Sequence, residues 1–210
     1  MFTVKRIGEI VRQMDALRYP QSIPLSDWKM QIRSGETRPD CTDLSGTWES
    51  IPANGIWGGH MEYRVFSGKI VIPENFRGKY TEFHLLTGHE GEWDATNPQF
   101  TVYVNGKIRQ GFDVNHTSLC LSESAEPGTE YDIFLSAFTG TQNFHLAFDA
   151  SLRALDQETE QYYYDLRIPW QAMELLDEQD SAYLQLEETL TKSINLLDLR
   201  RPGSDSYYTG

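Results

Sequence analysis

Asp113 and His116 stand three residues apart in the phrase GFDVNH. An acid beside an imidazole is the pairing that moves protons in general acid–base catalysis. Both lie at the end of an extended run in which Ile108, Phe112 and Val114 are the apolar residues. Strand alternation would place Asp113 and Asn115 on one face and Phe112, Val114 and His116 on the other, so the two groups are expected to point apart. An Asp and an Asn at a strand end also have a simpler use, capping a turn by accepting hydrogen bonds from backbone amides.

The other reactive side chains form no self-contained motif. His60, His84, His89, His116 and His145 show no His-x-His, His-x-Asp or His-Glu-x-x-His spacing, so no local zinc signature is present. Glu90, Glu92 and Asp94 crowd around His89 in GHEGEWD, which reads either as a hard-cation loop or as a solvated acidic loop, the second being the commoner outcome. Nucleophile-elbow, phosphate-loop and dinucleotide fingerprints are missing from the sequence. GIWGGH is rich in glycine, but no helical pattern follows it to supply an anion-binding terminus. Trp57 within it is either an aromatic platform for a sugar ring or, with more weight, part of a sandwich core. Hydrolysis of a glycosidic bond needs two carboxylates facing each other across the sugar, and the sequence singles out no such pair.

These residues sit in a chain of 210 residues with a net charge of −13, 39% apolar and 12% aromatic. That composition describes a folded domain, and its charge repels nucleic-acid phosphates and anionic lipid, so neither nucleic acid nor membrane is an expected partner. Residues 154–198 hold eleven Asp or Glu against Arg167 and Lys192, whereas the first nineteen residues are mildly basic. The start, MFTVKRIGEIVRQMD, lacks the apolar centre of a secretory signal. Cys41 and Cys120 have no partner spacing and read as reduced thiols, which points to a cytoplasmic protein.

Four zones follow. Residues 1–25 hold an amphipathic helix with its connector: Ile7, Ile10, Val11, Met14 and Leu17 recur at helical spacing, with Thr3 able to cap the start and Pro20 to end it. Residues 26–153 read as β, with turns about every ten residues, the signature of an antiparallel sandwich or barrel. Within that zone EYRVFSGKIVIP suggests two short runs around Ser67-Gly68, and KYTEFHLLT alternates. Asn105-Gly106 matches the demand of a type I′ hairpin turn, EPGTEYDIFLSAF reads as a turn feeding a strand, and NFHLAFDASL reads as one more strand. Residues 154–198 are an acidic helical segment, with Pro169 placed as a first-turn residue and Asp180-Ser181 as a capping pair. Residues 199–210 have no periodicity and read as a linker.

The phrases PQFTVYVNGKIRQGFDVNH, YDIFLSAFTG, YYYDLRIPWQAMELLDE and INLLDLRRPGSDSYY, in that order, resemble the N-terminal region of bacterial α-mannosidases of glycoside hydrolase family 38. The resemblance covers essentially the whole chain. It implies a mainly β, jelly-roll-like (galactose-binding-like) antiparallel sandwich, with an N-terminal helix and C-terminal helices, preceding a separate catalytic domain. In that family the catalytic domain carries an Asp nucleophile and a zinc held by His and Asp ligands. This sequence has no His-x-Asp pair, so no catalytic or metal residue carries over, and zinc is expected only in the missing domain. The implied partners are that catalytic domain and the α-mannoside substrate of the parent, with a homo-oligomer as a further possibility. Trp57, Asp113, Asn115 and His116 are the residues of this chain proposed to contact carbohydrate. A stand-alone carbohydrate-binding module and an assembly domain, in which basic helix and acidic segment pair within or between chains, are the competing readings.

Overall fold

Alternating apolar residues must bury one face of every strand, and a chain with this many short strands does so by stacking sheets. The computed structural model describes residues 2–33, 38–88, 98–198, 200–201 and 203–207. His89, Glu90, Glu92 and Asp94 of the candidate cation loop lie outside the described residues. The chain divides into two units, Gln21–Ala154 and Met1–Pro20 with Leu155–Gly210.

The first unit is the sandwich. Its strands are β1 (Gln21–Pro24), β2 (Trp28–Arg33), β3 (Glu49–Ile51), β4 (Ile56–Gly59), β5 (Tyr63–Val71) and β6 (Tyr80–Leu86). They continue as β7 (Gln99–Val104), β8 (Lys107–Phe112), β9 (Ser118–Ser122), β10 (Glu130–Phe138), β11 (Phe144–Ala147) and β12 (Asp149–Leu155). A four-stranded sheet runs β1-β12-β6-β9, a six-stranded sheet runs β3-β2-β5-β10-β7-β8, and β11 pairs with β4. The architecture is thus the mainly β antiparallel sandwich that the alternation and the turn spacing led us to expect.

Three local readings change in this unit. Gln21–Pro24, read as part of a connector, is a strand that pairs with Ala154 to Ser151. Ser67-Gly68 makes no turn, because β5 runs unbroken from Tyr63 to Val71. Gly68 has a packing role instead: a Cβ there would meet the Trp28 ring at 2.7 Å. NFHLAFDASL forms two strands, β11 and β12, in different sheets. The hairpin turn follows the sequence, with φ of 50° at Asn105 and 76° at Gly106, and Asn105 Oδ1 accepts a hydrogen bond from the Asp132 amide at 2.9 Å.

The core lies between the two larger sheets, where Phe66, Phe100 and Leu135 of one face meet Phe83, Leu85 and Leu152 of the other. Phe148 stacks on Phe66 with centroids 4.5 Å apart and meets Trp28 edge-on at 5.2 Å. Each fully buried side chain of this kind contributes about 1.5–3 kcal/mol by leaving water.

The second unit holds α1 (Phe2–Leu17), α2 (Gln157–Met173) and α3 (Ser181–Ile194). The stripe Ile7, Ile10, Val11 and Met14 is fully buried against Tyr163, Leu166 and Met173 from α2 and Leu190 and Ile194 from α3. Helix α1 begins at Phe2, so Thr3 falls inside the helix rather than capping it. Pro169 falls inside α2 as well. The helix starts twelve residues earlier than Pro169 because Asp156 caps it, accepting from the Thr159 amide at 2.9 Å, with Glu158 and Glu160 in the first turn, where the helix dipole favours them. Asp180 caps α3, accepting from Ala182 N at 2.7 Å.

One ion-pair network links the residue after α1 to α2. Arg18 reaches Glu160 at 2.7 Å and Asp15 at 2.8 Å, and its guanidinium lies 4.7 Å from the centre of the Tyr163 ring. Burial alone would lower its pKa, but the two carboxylates outweigh that and raise it. The stretch read as a linker also contributes to this unit. Asp205–Tyr207 forms a single 3-10 turn, Tyr207 is fully buried, and its hydroxyl donates to Met14 Sδ at 3.3 Å. Just before that stretch Ile194 is buried and Leu196 is well exposed.

Candidate functional site

Strand β10 presents Ile133, Leu135 and Ala137 to the core, so Phe134, Ser136 and Phe138 stand on the outer face of the six-stranded sheet. Register then decides their neighbours. Ser136 pairs with Val65 on one side and Thr101 on the other, and Thr101 pairs with Gly111. Phe138 sits between Tyr63 and Gln99 in the next row.

Part of this outer face is covered and part is open. Val65, Tyr103 and Phe134 are buried, with Cys41 and Trp48 packed against them. Beside them a cavity of about 400 Å³ opens over the Ser136–Thr101–Gly111 row, with Arg38 and Asp113 among its lining residues. The Tyr63 and Phe138 rings contribute an aromatic wall, their centroids 5.1 Å apart at 44°. Arg38 Nη1 donates to Thr101 Oγ1 at 3.2 Å. Ser136 is 3% exposed, and its hydroxyl has no hydrogen-bond partner among the described residues.

Asp113 reaches this cavity from the turn after β8. Its Oδ1 accepts from the amides of Asn115 at 2.8 Å and His116 at 2.9 Å, and lies 2.9 Å from His116 Nδ1. Asp113 and His116 therefore meet, contrary to the separation that strand alternation predicts. The reason is that β8 ends at Phe112 and the chain turns, with reciprocal backbone bonds of 3.2 Å between residues 113 and 116. Partial burial would raise the carboxyl pKa, but the Asn115 amide, the His116 ring and the His116 amide overcome it and hold Asp113 below the ordinary carboxylate value. A carboxylate committed to its own turn is an organiser of the loop, a poor candidate for proton transfer.

Trp57 is not a platform. It is 2% exposed, edge-on to Phe66 at 5.2 Å and tilted on Phe100 at 5.2 Å, so the sandwich core occupies its faces. The glycines after it have a backbone reason: φ is 149° at Gly58 and 141° at Gly59, a region that side-chain-bearing residues rarely enter. The described histidines are dispersed. His60 Nδ1 lies 2.8 Å from the Thr141 carbonyl oxygen and His84 Nδ1 lies 3.1 Å from Ser118 Oγ. Among the described residues no group of three or more His, Cys, Asp or Glu is placed to share a metal ion, so they do not fit a zinc site.

Sequence reading missed Arg38, Tyr63, Thr101, Ser136 and Phe138. A trace was visible in β10, where one small polar residue lies between two aromatics on the non-core face. The neighbours that turn it into a cavity come from β5, β7 and β8, and strand order is not written in spacing.

The molecule is thus an antiparallel β-sandwich with a polar cavity on one sheet, joined in sequence to a helical unit. No protein-family model matches the chain, and no curated protein does. Its structural neighbours are bacterial glycosidases. β-Glucuronidase from Ruminococcus gnavus in complex with uronic deoxynojirimycin is 15% identical with a TM-score of 0.42, covering 65% of this chain and 29% of that one. The complex of the same enzyme with D-glucuronic acid is 13% identical with a TM-score of 0.41, covering 65% and 30%. This chain therefore matches less than a third of the enzyme's length, and a likeness at that level carries no argument about chemistry.

Proposed function

We propose that this chain is a non-catalytic support domain of a glycoside hydrolase that acts on terminal α-mannosides, with the zinc and the nucleophile carried by a separate catalytic domain. The observation that supports this reading is where the family-like phrases fall. PQFTVYVNGKIRQGFDVNH builds β7, β8 and the Asp113 turn, and YDIFLSAFTG builds most of β10, so together they form one edge of the six-stranded sheet. YYYDLRIPWQAMELLDE lies in α2 and the turn after it. The resemblance thus rests on residues that build the scaffold, and among their carboxylates Asp113 and Asp177 accept hydrogen bonds from the amides of their own turns.

The test is direct. The purified chain, with and without added zinc, should not turn over 4-nitrophenyl α-mannoside. Turnover that co-purifies with the folded protein and rises with zinc would overturn the reading. The parent gene supplies a second check: its reading frame should encode a His-x-Asp motif downstream of these residues.

A second reading, a carbohydrate-binding module, is favoured by the cavity lined by Ser136, Thr101 and Asp113. Its binding residues would be those of the cavity, with Trp57 in a structural role.

A further inference from the structure

We infer that the cavity over the Ser136–Thr101–Gly111 row binds a neutral pyranose unit. This goes beyond a support role and does not depend on which glycoside the parent cleaves.

Ser136 presents a buried hydroxyl. Ser136 is nearly inaccessible, faces away from the core and has no partner among the described residues. A buried polar group left unmade is costly, and a ligand hydroxyl over the sheet would both donate to it and accept from it. Thr101 stands next to it with its oxygen already accepting from Arg38, which leaves the hydroxyl proton for a second acceptor.

The cavity also has the shape for a ligand. Gly111 ends the row, and a Cβ built there meets only the Phe100 carbonyl oxygen at 3.7 Å, an ordinary contact. Any larger residue would be accommodated by the strand and would occupy the cavity, so the missing side chain is what keeps it open. Its volume of about 400 Å³ falls within the range of about 300–1,000 Å³ typical of small-molecule sites.

Its lining selects a chemical class. The tilted Tyr63–Phe138 pair offers an aromatic surface to the C–H face of a sugar ring. Around it stand a hydroxyl donor-acceptor, an amide at Gln99, a guanidinium and a carboxylate, a mixture suited to vicinal hydroxyl groups. Arg38 and Asp113 offset each other, and the chain carries −13 overall, so an anionic ligand gains no net attraction.

The experiment uses the isotopically labelled full chain and follows amide shifts as methyl α-D-mannopyranoside, methyl α-D-glucopyranoside or methyl β-D-glucuronide is added. At least one neutral glycoside should shift residues of β7, β8 and β10 at millimolar concentration. Gly111→Leu should abolish those shifts. Ser136→Ala should weaken binding about 3- to 10-fold without lowering the unfolding midpoint, since it deletes a hydroxyl that has no partner among the described residues. It serves as the independent variant should Gly111→Leu disturb the sheet. The inference fails if no neutral glycoside shifts these strands up to about 100 mM. It fails equally if the glucuronide alone binds, or if Ser136→Ala leaves the affinity unchanged. Because the readout is binding, its failure is distinct from the turnover that would overturn the support-domain reading.

Discussion

Replacing Trp57 with alanine separates a core role from a binding role. The indole is 2% exposed and makes two ring contacts at 5.2 Å, to Phe66 and Phe100. Truncating a buried Trp costs about 3–5 kcal/mol through lost transfer energy and the cavity left behind. Trp57 lies in β4, whose only partner strand among the described residues is β11, and that two-stranded ribbon can relax more easily than the centre of the larger sheets. The lower part of the range is therefore expected, about 3–4 kcal/mol. For a unit of this size that corresponds to a fall in Tm of about 10–20 °C. Urea and thermal unfolding followed by far-UV circular dichroism, which does not depend on the deleted fluorophore, measure it. Trp57→Phe should recover more than half of the loss, and glycoside affinity at the outer cavity should be unchanged in both variants well below their midpoints. An unfolding midpoint equal to that of the parent, combined with loss of sugar-induced shifts, would refute the placement of Trp57 in the core.

Three further outcomes are expected. Asp113 has a depressed pKa, so its contribution to stability is fully present above the unfolded carboxylate value and is lost as pH falls through the folded one. The amide shifts of Asn115 and His116 should accordingly titrate with a midpoint below about 3.9, and a midpoint at or above that value would show that the turn does not hold the carboxylate. Arg18→Lys should destabilise the helical unit by about 1–2 kcal/mol in urea unfolding, because an ammonium cannot serve Glu160 and Asp15 together while lying over the Tyr163 ring. An unchanged midpoint would assign the network no energetic weight. Tyr207→Ala should lower stability by about 3 kcal/mol and speed hydrogen exchange in α1 around Met14, an effect that a disordered tail would not produce.

Much of the scaffold was legible in the sequence because its causes are local. The stripe Ile7, Ile10, Val11 and Met14 has helical spacing and is buried along its length, and Asn105-Gly106 supplies the positive φ that a two-residue hairpin turn requires. Asp180 before Ser181 is a cap in sequence and in structure. Errors arose where a local signal had two uses. A glycine in a strand can mark a turn or a close approach, and at Gly68 the Trp28 ring decided for the second. A proline can open a helix or sit within one, and at Pro169 the cap at Asp156 decided, since α2 was already under way.

The amino-acid order by itself determined the periods, the turns and the caps, and with them a sandwich of antiparallel strands and a set of amphipathic helices. Tertiary structure alone decided that β10 lies between β5 and β7, which brings Ser136, Thr101 and Gly111 into one row under Tyr63 and Phe138. It also turned Trp57 inward and carried Tyr207 to Met14 across the length of the chain. The division has a physical cause. Backbone sterics and alternation act between residues a few positions apart, whereas strand order and the cavity it creates come from packing between segments distant in the chain, which no spacing encodes.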